Sequence, residues 1–298
     1  MLKITKSSDP LPVERINLCI YGAPGLGKTT LAFTAESPLL LDCDGGAHRA
    51  KNRKDTVRVS SWADIAAIEQ GDLAPYKTVI LDTAGRALDF LTGDIIAKNP
   101  KLGRGGALTL QGFGELKTRF SSYLKMLRTF GKDVVLIAHM DEQRSGDDVI
   151  ERLDVQGGSK GEIYKSVDAM GRIYMQGNEW KLDFNPRENS FGKNPCNLPV
   201  MPVLLSSTNL LGEVNATIKD RLNQESEKSK EANAEMEKWA KWVSDCTRAE
   251  EINQLLPKAK DATQAIRSLV ASRAKTLKLV WNGTSLRYES QKETANAA

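Results

Sequence analysis

A chain of 298 residues can bury a sizeable core, with room for one large domain and a smaller one. Its 40% hydrophobic and 27% charged residues are ordinary for a soluble globular protein, and no apolar run reaches membrane-spanning length, which argues against disordered, fibrous and helical-membrane classes. The net charge of +4 is too small to demand a nucleic-acid partner, so where the cations lie matters more than their sum.

Residues 1–15 are polar, contain Pro10 and Pro12, and read as a lead-in without the apolar stretch of a secretory signal. Cys19, Cys43, Cys196 and Cys246 lack metal-ligand spacing, and the first two lie in apolar strand-like segments. Buried thiols of that kind fit a reducing cytoplasm.

The first element with chemistry is Gly22-Ala23-Pro24-Gly25-Leu26-Gly27-Lys28-Thr29, a G-x-x-x-x-G-K-T phosphate-binding loop. Glycines let successive backbone N–H groups converge on a phosphate. Lys28 places a cation on the β- and γ-phosphates of ATP, and Thr29 offers a hydroxyl to Mg²⁺. The apolar run Asn17–Tyr21 before the loop predicts a buried strand. Thr30-Leu31-Ala32-Phe33 after it predicts a helix, whose N-terminal dipole favours the same anion.

Pro38–Gly46 reads as a second apolar strand ending in two acids, Asp42 and Asp44, and two glycines, Gly45 and Gly46. A carboxylate there can orient or deprotonate the attacking water. Asp44 lies further toward the ligand edge than Asp42, and the bland alternative is an Asp that binds its own loop backbone. Thr56–Val59 is a short strand, and Ser61 an N-cap for a helix with Trp62, Ile65 and Ile68 on its apolar side. Thr78–Thr83 is a continuous apolar strand with Asp82 near its carboxyl end, the Walker B pattern. Ligands in open α/β sheets sit beyond those ends, so Asp82 is the expected Mg²⁺ carboxylate, unless it only caps the next helix.

Lys98, Lys101 and Arg104 lie in a Gly-rich polar segment, either a mobile anion-binding loop or a surface connection. A helix with Leu116, Phe120, Tyr123, Leu124, Leu127 and Phe130 at helical spacing follows. Asp133–His139 is then a further apolar strand with a polar end. A lone His is often structural, but the repetition of Asp44, Asp82 and His139 favours a γ-phosphate sensor. His48 has no comparable support. Asp141–Glu162 reads as a second polar loop, followed by strands near 170–175 and 179–184 and an exposed basic turn, Asn185–Lys193.

This order of parts resembles the RecA-type ATPase core: P-loop, carboxylate, Walker B Asp, DNA-binding loop, strand-terminal sensor, and a second DNA-binding loop closing in Gly-Gly. These correspond to Gly22–Thr29, Asp44, Asp82, the 98–112 segment, His139 and the segment ending at Gly157-Gly158. The family's usual Glu is Asp44 here, and its frequent Gln sensor is His139. Ile20–Thr29, Leu40–Arg49 and Leu81–Leu88 are similar to small phage-encoded RecA-like ATPases of the single-strand annealing type, a likeness that covers about residues 15–205. The resemblance implies ATP- and Mg²⁺-dependent binding of single-stranded DNA and strand annealing in recombination. It also implies a homo-oligomer (ring or filament), slow DNA-coupled hydrolysis, a bacterial host cytoplasm and a single-strand-binding protein as a partner. Such subunits often complete the ATP site with a neighbour's cation, for which Arg187 is the first candidate and Lys193 the second. A nucleotide-gated scaffold with little turnover and a helicase-type ring are the alternatives.

From residue 212 the composition turns helical and charged. Val214, Ile218 and Leu222 form one stripe, 223–235 an exposed, polar helical connector, and Met236, Trp239 and Val243 a second stripe. A helical pair and a hairpin on Asn282-Gly283 complete the chain. Between Lys258 and Lys292 eight Lys/Arg face two acids, with Trp281 and Tyr288 among them. That stretch is either a phosphate-tracking, base-stacking surface or the core and solvated face of a small helical domain. The expected fold is therefore α/β: a RecA-like P-loop core over 1–211, with a mostly parallel sheet flanked by helices, and a small, mainly helical region over 212–298.

Overall fold

The computed structural model describes residues 5–6, 9, 11–145, 148–156, 159–204 and 206–290. It divides into two compact units, one over Val13–Asn223 and the other made of Met1–Pro12 with Gln224–Ala298.

The first unit begins with β1 (Asn17–Gly22), α1 (Lys28–Ala32), β2 (Pro38–Asp42), a single 3-10 turn (Ala47–Arg49), β3 (Thr56–Arg58), α2 (Trp62–Ala66), β4 (Thr78–Asp82) and α3 (Ala84–Lys98). A two-residue ribbon, β5 (Gly103–Arg104) and β6 (Ala107–Leu108), leads to α4 (Leu110–Thr129). Next come β7 (Asp133–Ser145), β8 (Asp148–Leu153), α5 (Ser159–Ser166), β9 (Ala169–Gln176), β10 (Glu179–Asp183) and β11 (Met201–Pro202). Among the described residues the sheet order is β11-β10-β9-β1-β7-β4-β2-β3, with β8 attached to β7. The run from β9 to β3 is parallel, and β10 and β11 are antiparallel additions.

The strands read as continuous apolar runs because both faces are covered. Alternate residues go to opposite cores. Cys19, Tyr21, Val79, Leu81, Val134 and Leu136 pack with the side chains of α2, α3 and α4. Leu18, Ile20, Ile80, Val135 and Ile137 pack with Leu31, Phe33, Leu211, Val214 and Ile218. Thus the α/β core expected from the chain, a mostly parallel sheet flanked by helices with the P-loop after its first strand, is the fold observed. Ser61 caps α2 through a full capping box: its Oγ accepts from Asp64 N, and Asp64 Oδ2 accepts from Ser61 N at 2.9 Å.

Two connections differ from expectation. The segment after His139 is not an open loop. β7 runs on to Ser145 and pairs antiparallel with β8, from Met140↔Leu153 to Ser145↔Asp148. Strand pairing there rests on backbone bonds rather than on an apolar face, so periodicity does not reveal it. Gly157-Gly158 lies outside the described residues. The Gly-rich 98–112 segment is likewise compact: Gly105 and Gly106, at φ 59° and 82°, turn the β5–β6 ribbon, and Lys98 pairs with Asp94 at 3.0 Å.

The 223–235 connector and the stripes flanking it form one helix, α6 (Leu210–Asp245). The second unit continues with α7 (Ala249–Ala259), α8 (Gln264–Thr276) and a hairpin of β12 (Leu279–Asn282) and β13 (Arg287–Ser290). Its core is Trp239, Val243, Ile252, Ile266, Val270 and Ala274, with Met236 and Tyr288 packed on it. The hairpin exists, but Asn282 pairs with Arg287, so its turn is the four residues 283–286 rather than an Asn-Gly pair. Among the described residues no helix is long and apolar enough to cross a membrane.

Candidate nucleotide site

Four adjacent parallel strands end at one edge. The register aligns Gly22 of β1 with His139 of β7, Ile137 with Asp82 of β4, and Asp82 with Asp42 of β2. Because β7 lies between the P-loop strand and the Walker B strand, His139 emerges between Gly22 and Asp82.

The loop after β1 has its glycines where geometry demands them. Gly25 and Gly27 sit at φ 82° and 77°, the left-handed region that other residues enter at a cost. A Cβ on Gly22 would run into the Ile173 carbonyl oxygen of β9. Gly27 is the N-cap residue of α1, and a Cβ there would meet the Trp180 ring at 3.3 Å.

Lys28 is buried and folds back on the loop, donating from Nζ to the carbonyls of Gly22 (2.9 Å) and Ala23 (2.8 Å). Burial lowers its pKa to about 8, against the opposing pull of Asp82 and Asp44. Thr29 Oγ1 donates to Asp82 Oδ2 at 2.7 Å, so the two residues expected to hold Mg²⁺ are in direct contact. Asp82 is buried, and that burial raises its pKa to about 6, with the Thr29 hydrogen bond working the other way.

Asp42 and Asp44 separate cleanly. Asp42 is buried and accepts from Gly46 N (3.0 Å) and Ala47 N (3.1 Å), so it fixes the turn after β2. Asp44 instead lines the cavity, with Arg86 Nε at 3.6 Å, Arg49 Nη2 at 3.8 Å and His139 Nε2 at 3.9 Å. His139 is pushed below the usual histidine pKa by burial and by Lys28, with Asp44 opposing. Its Nδ1 is buried without a hydrogen-bond partner.

The resulting cavity, about 380 Å³, is lined by Pro24, Gly25, Gly27, Lys28, Thr29, Thr30, Asp44, Gly46, Arg49, Ala50, Asp82 and His139. A second, of similar volume, shares Asp44 and His139 and is lined by Thr83, Gly85, Arg86, Asp89, Asp154, Val155 and Gln156. Leu26, in the same loop, packs instead against the apolar core.

A model of the AAA domain family matches residues 14–196, the segment that builds this cavity. The chain belongs to the AAA domain family. It is similar to a solved structure of an ATPase domain, at 13% identity over 64% of this chain and 80% of that one, with a TM-score of 0.37. It is also similar to a KaiC-like protein from the hyperthermophilic archaeon Pyrococcus horikoshii OT3, at 11% identity over 65% of this chain and 87% of that one, with a TM-score of 0.39. No curated protein matches. With its P-loop, mostly parallel sheet and family, this chain carries an α/β P-loop domain of the AAA family.

Other expected residues are placed elsewhere. Arg187 lines neither cavity and donates through Nη2 (2.6 Å) and Nε (3.1 Å) to Asp183 at the end of β10. Lys193 donates to the Val167 carbonyl at 2.6 Å. In the second unit Arg273 donates to the Ser244 and Cys246 carbonyls around the end of α6, so it has a structural task. Trp281 is half-exposed and stacks edge-on against Tyr288.

Sequence reasoning missed Arg49 and Arg86. Both fall inside the family-like motifs, but neither ends a strand, and only the fold brings them to Asp44. Asn52 was also missed. Its Nδ2 donates to the Thr30 carbonyl at 3.1 Å, tying the segment after β2 to the P-loop helix.

Proposed function

We propose that this chain binds ATP with Mg²⁺, hydrolyses it slowly, and uses the cycle to grip single-stranded DNA and promote strand annealing in recombination. The observation that carries the nucleotide part is the convergence of Lys28, Thr29, Asp82, Asp44 and His139 on one cavity. Its volume, its glycine-lined loop and its hydroxyl–carboxylate pair fit a nucleotide phosphate chain with a hard cation. Thr29 and Asp82 would hold Mg²⁺, with the remaining oxygen ligands drawn from phosphates and water. A cation held there would supply positive charge that offsets the charge of the phosphates.

In this reading Lys28 exchanges the Gly22 and Ala23 carbonyls for phosphate oxygens, a stronger charge-assisted pairing. Asp44 orients the water that attacks the γ-phosphorus and takes its proton as the bond to the ADP oxygen breaks. Arg49 and Arg86 hold the Asp44 carboxylate, which keeps a short side chain in place where a Glu would reach further. His139, neutral near pH 7, presents Nε2 to the same space and responds to the γ-phosphate. Arg187 is proposed to act in a neighbouring subunit of a homo-oligomer.

The annealing assignment draws on the resemblance of the Leu40–Arg49 and Leu81–Leu88 motifs and on the exposed cations of the core. The deciding experiment measures ATP hydrolysis with and without oligo(dT), then annealing of complementary strands and unwinding of a forked duplex. Stimulated hydrolysis with annealing and no unwinding supports the reading. Unwinding places the protein with ring motors instead. Binding without turnover makes it a nucleotide-gated scaffold.

A further inference from the structure

A dense run of unpaired cations lies in neither segment read from the sequence as DNA-binding. It is the connection from β2 to β3. Residues 48–58 contain Arg49, Lys51, Arg53, Lys54 and Arg58 against the single acid Asp55. Asp55 is occupied, accepting from Tyr76 Oη at 2.9 Å. Among the described residues, the side chains of Lys51, Arg53, Lys54 and Arg58 have no hydrogen-bond or ion-pair partner, and all four are exposed. His48, Arg53, Lys54 and Arg58 surround a cavity of about 300 Å³ whose lining includes Asp42 and Thr56. Asp42 is already committed to Gly46 N and Ala47 N. By contrast, Lys98 and Arg273 have internal partners.

We propose that this β2–β3 segment is a binding site for the sugar-phosphate backbone of single-stranded nucleic acid, in which Arg53, Lys54 and Arg58 contact phosphates. The inference rests on the single-stranded DNA reading above and names the surface that serves it. Residues 48–58 include no Phe, Tyr or Trp, so this surface supplies phosphate contacts without base stacking. Binding here is therefore independent of sequence and steeply dependent on salt. An edge strand needs only a charge or two to discourage pairing with another sheet, and this segment carries more.

The same segment faces the nucleotide. Gly46, Arg49 and Ala50 line the ATP cavity, Arg49 approaches Asp44, and Asn52 bonds to Thr30. A Cβ on Gly46 would collide with Arg49 Nη2, so the guanidinium lies directly over this glycine. A nucleotide that draws Arg49 toward its phosphates shifts the turn carrying Arg53 and Lys54. Nucleotide-dependent DNA affinity then has a short covalent route.

The test is a salt titration of fluorescent oligo(dT) binding to the full chain, with and without a non-hydrolysable ATP analogue. Its variants are Arg53→Gln/Lys54→Gln/Arg58→Gln and the charge-keeping Arg53→Lys/Arg58→Lys. Three contacts at about 0.7 each lower the slope of log affinity against log salt by about 2 in the Gln variant. The Lys variant keeps the wild-type slope. Binding of a fluorescent ATP analogue stays unchanged in both, which reports an intact fold. A Gln variant with the wild-type slope overturns the site, and if Lys101→Gln/Arg104→Gln loses slope instead, the 98–112 segment is the contact. A wild-type chain that does not bind oligo(dT) at low salt refutes the single-stranded DNA reading itself.

Discussion

Asp82→Asn should stabilise the nucleotide-free protein while disabling its metal site. Asp82 is 5% exposed, and its folded pKa of about 6 lies above the ordinary carboxyl value of 3.8. Between those two values the folded chain holds a proton that the unfolded chain has released. Stability therefore falls as pH rises through that window, and the full cost, about 3 kcal/mol, applies above pH 6. Asn removes the buried charge and can still accept from Thr29 Oγ1, but its amide N–H groups need partners, which returns about 1 kcal/mol. The net gain is about 2 kcal/mol at pH 7.5, vanishes at about pH 4.5 and becomes a loss of about 0.5 kcal/mol at pH 4. Urea unfolding of wild type and variant between pH 4 and 8, in chelator, measures it. With saturating Mg²⁺ and ATP the order reverses, because only wild type gains the full linkage energy, about 2.7 kcal/mol at a hundred times Kd. A variant that is less stable at pH 7.5 without metal, or a difference that does not change with pH, refutes the assignment of Asp82 as a buried, strained metal carboxylate.

Lys28→Ala removes a charge-assisted contact and should weaken binding of a fluorescent ATP analogue about 10- to 100-fold without loss of fold, checked by circular dichroism. His139→Ala should leave ATP affinity within about threefold yet abolish most of the effect of ATP on oligo(dT) affinity, while His139→Gln retains it; these limits follow from losing one neutral hydrogen bond. Because burial and Lys28 hold the His139 pKa below the usual value, the coupling that His139→Ala removes should be the same at about pH 7 and 8, compared at each pH against wild type. Arg187→Ala should lose hydrolysis, and mixing it with Lys28→Ala subunits should restore some, since each supplies what the other lacks. Co-assembled mixtures without recovered activity would exclude a finger acting between subunits.

The site was legible where the sequence signal is one-dimensional. A strand buried on both faces is a short apolar run, and Asp82 and His139 stand out because each is the polar residue that ends such a run. The P-loop is a contiguous motif. What the sequence does not encode locally is neighbour order. Nothing in the spacing of Gly22, Asp82 and His139 says that β7 lies between β1 and β4. The arginines around Asp44 were hidden for the same reason, since Arg86 opens α3 and Arg49 closes a 3-10 turn. The β7–β8 hairpin was missed because its pairing rests on backbone bonds, whereas the polar middle of α6 still reads as helix, as observed. Arg273 shows the converse error: charge counting treats every cation as free, whereas carbonyls at the end of a helix bind one readily.

The strand order has a mechanical consequence. β7 is thirteen residues long, and its first part is hydrogen-bonded on both sides, to β1 and β4. Its second part leaves the sheet as the hairpin with β8. His139 stands at the junction, and its carbonyl accepts from Asp154 N at 2.9 Å, immediately after β8. A push on the imidazole from the cavity cannot move the clamped half of β7 without breaking ladder bonds on two sides. The direction with fewer ladder bonds is the hairpin, where β7 has one partner strand, itself held by Glu151 N to the Asn189 carbonyl (2.8 Å) and by the Glu151–Arg172 pair. The turn at Gly45–Arg49 lies outside the strand ladder and is held by the two bonds to Asp42, by Arg49 N to the Gly46 carbonyl and by buried Ala47. In the proposed cycle a γ-phosphate between Asp44 and His139 would meet two elements that lie off the clamped strands, separated by two fixed strand ends. One is reached through His139 and the other through Arg49. His139→Ala should therefore remove the larger part of ATP-dependent DNA binding and Arg49→Ala a smaller part, with the double variant losing more than either. Identical losses in the single and double variants would mean that one route carries all of the coupling.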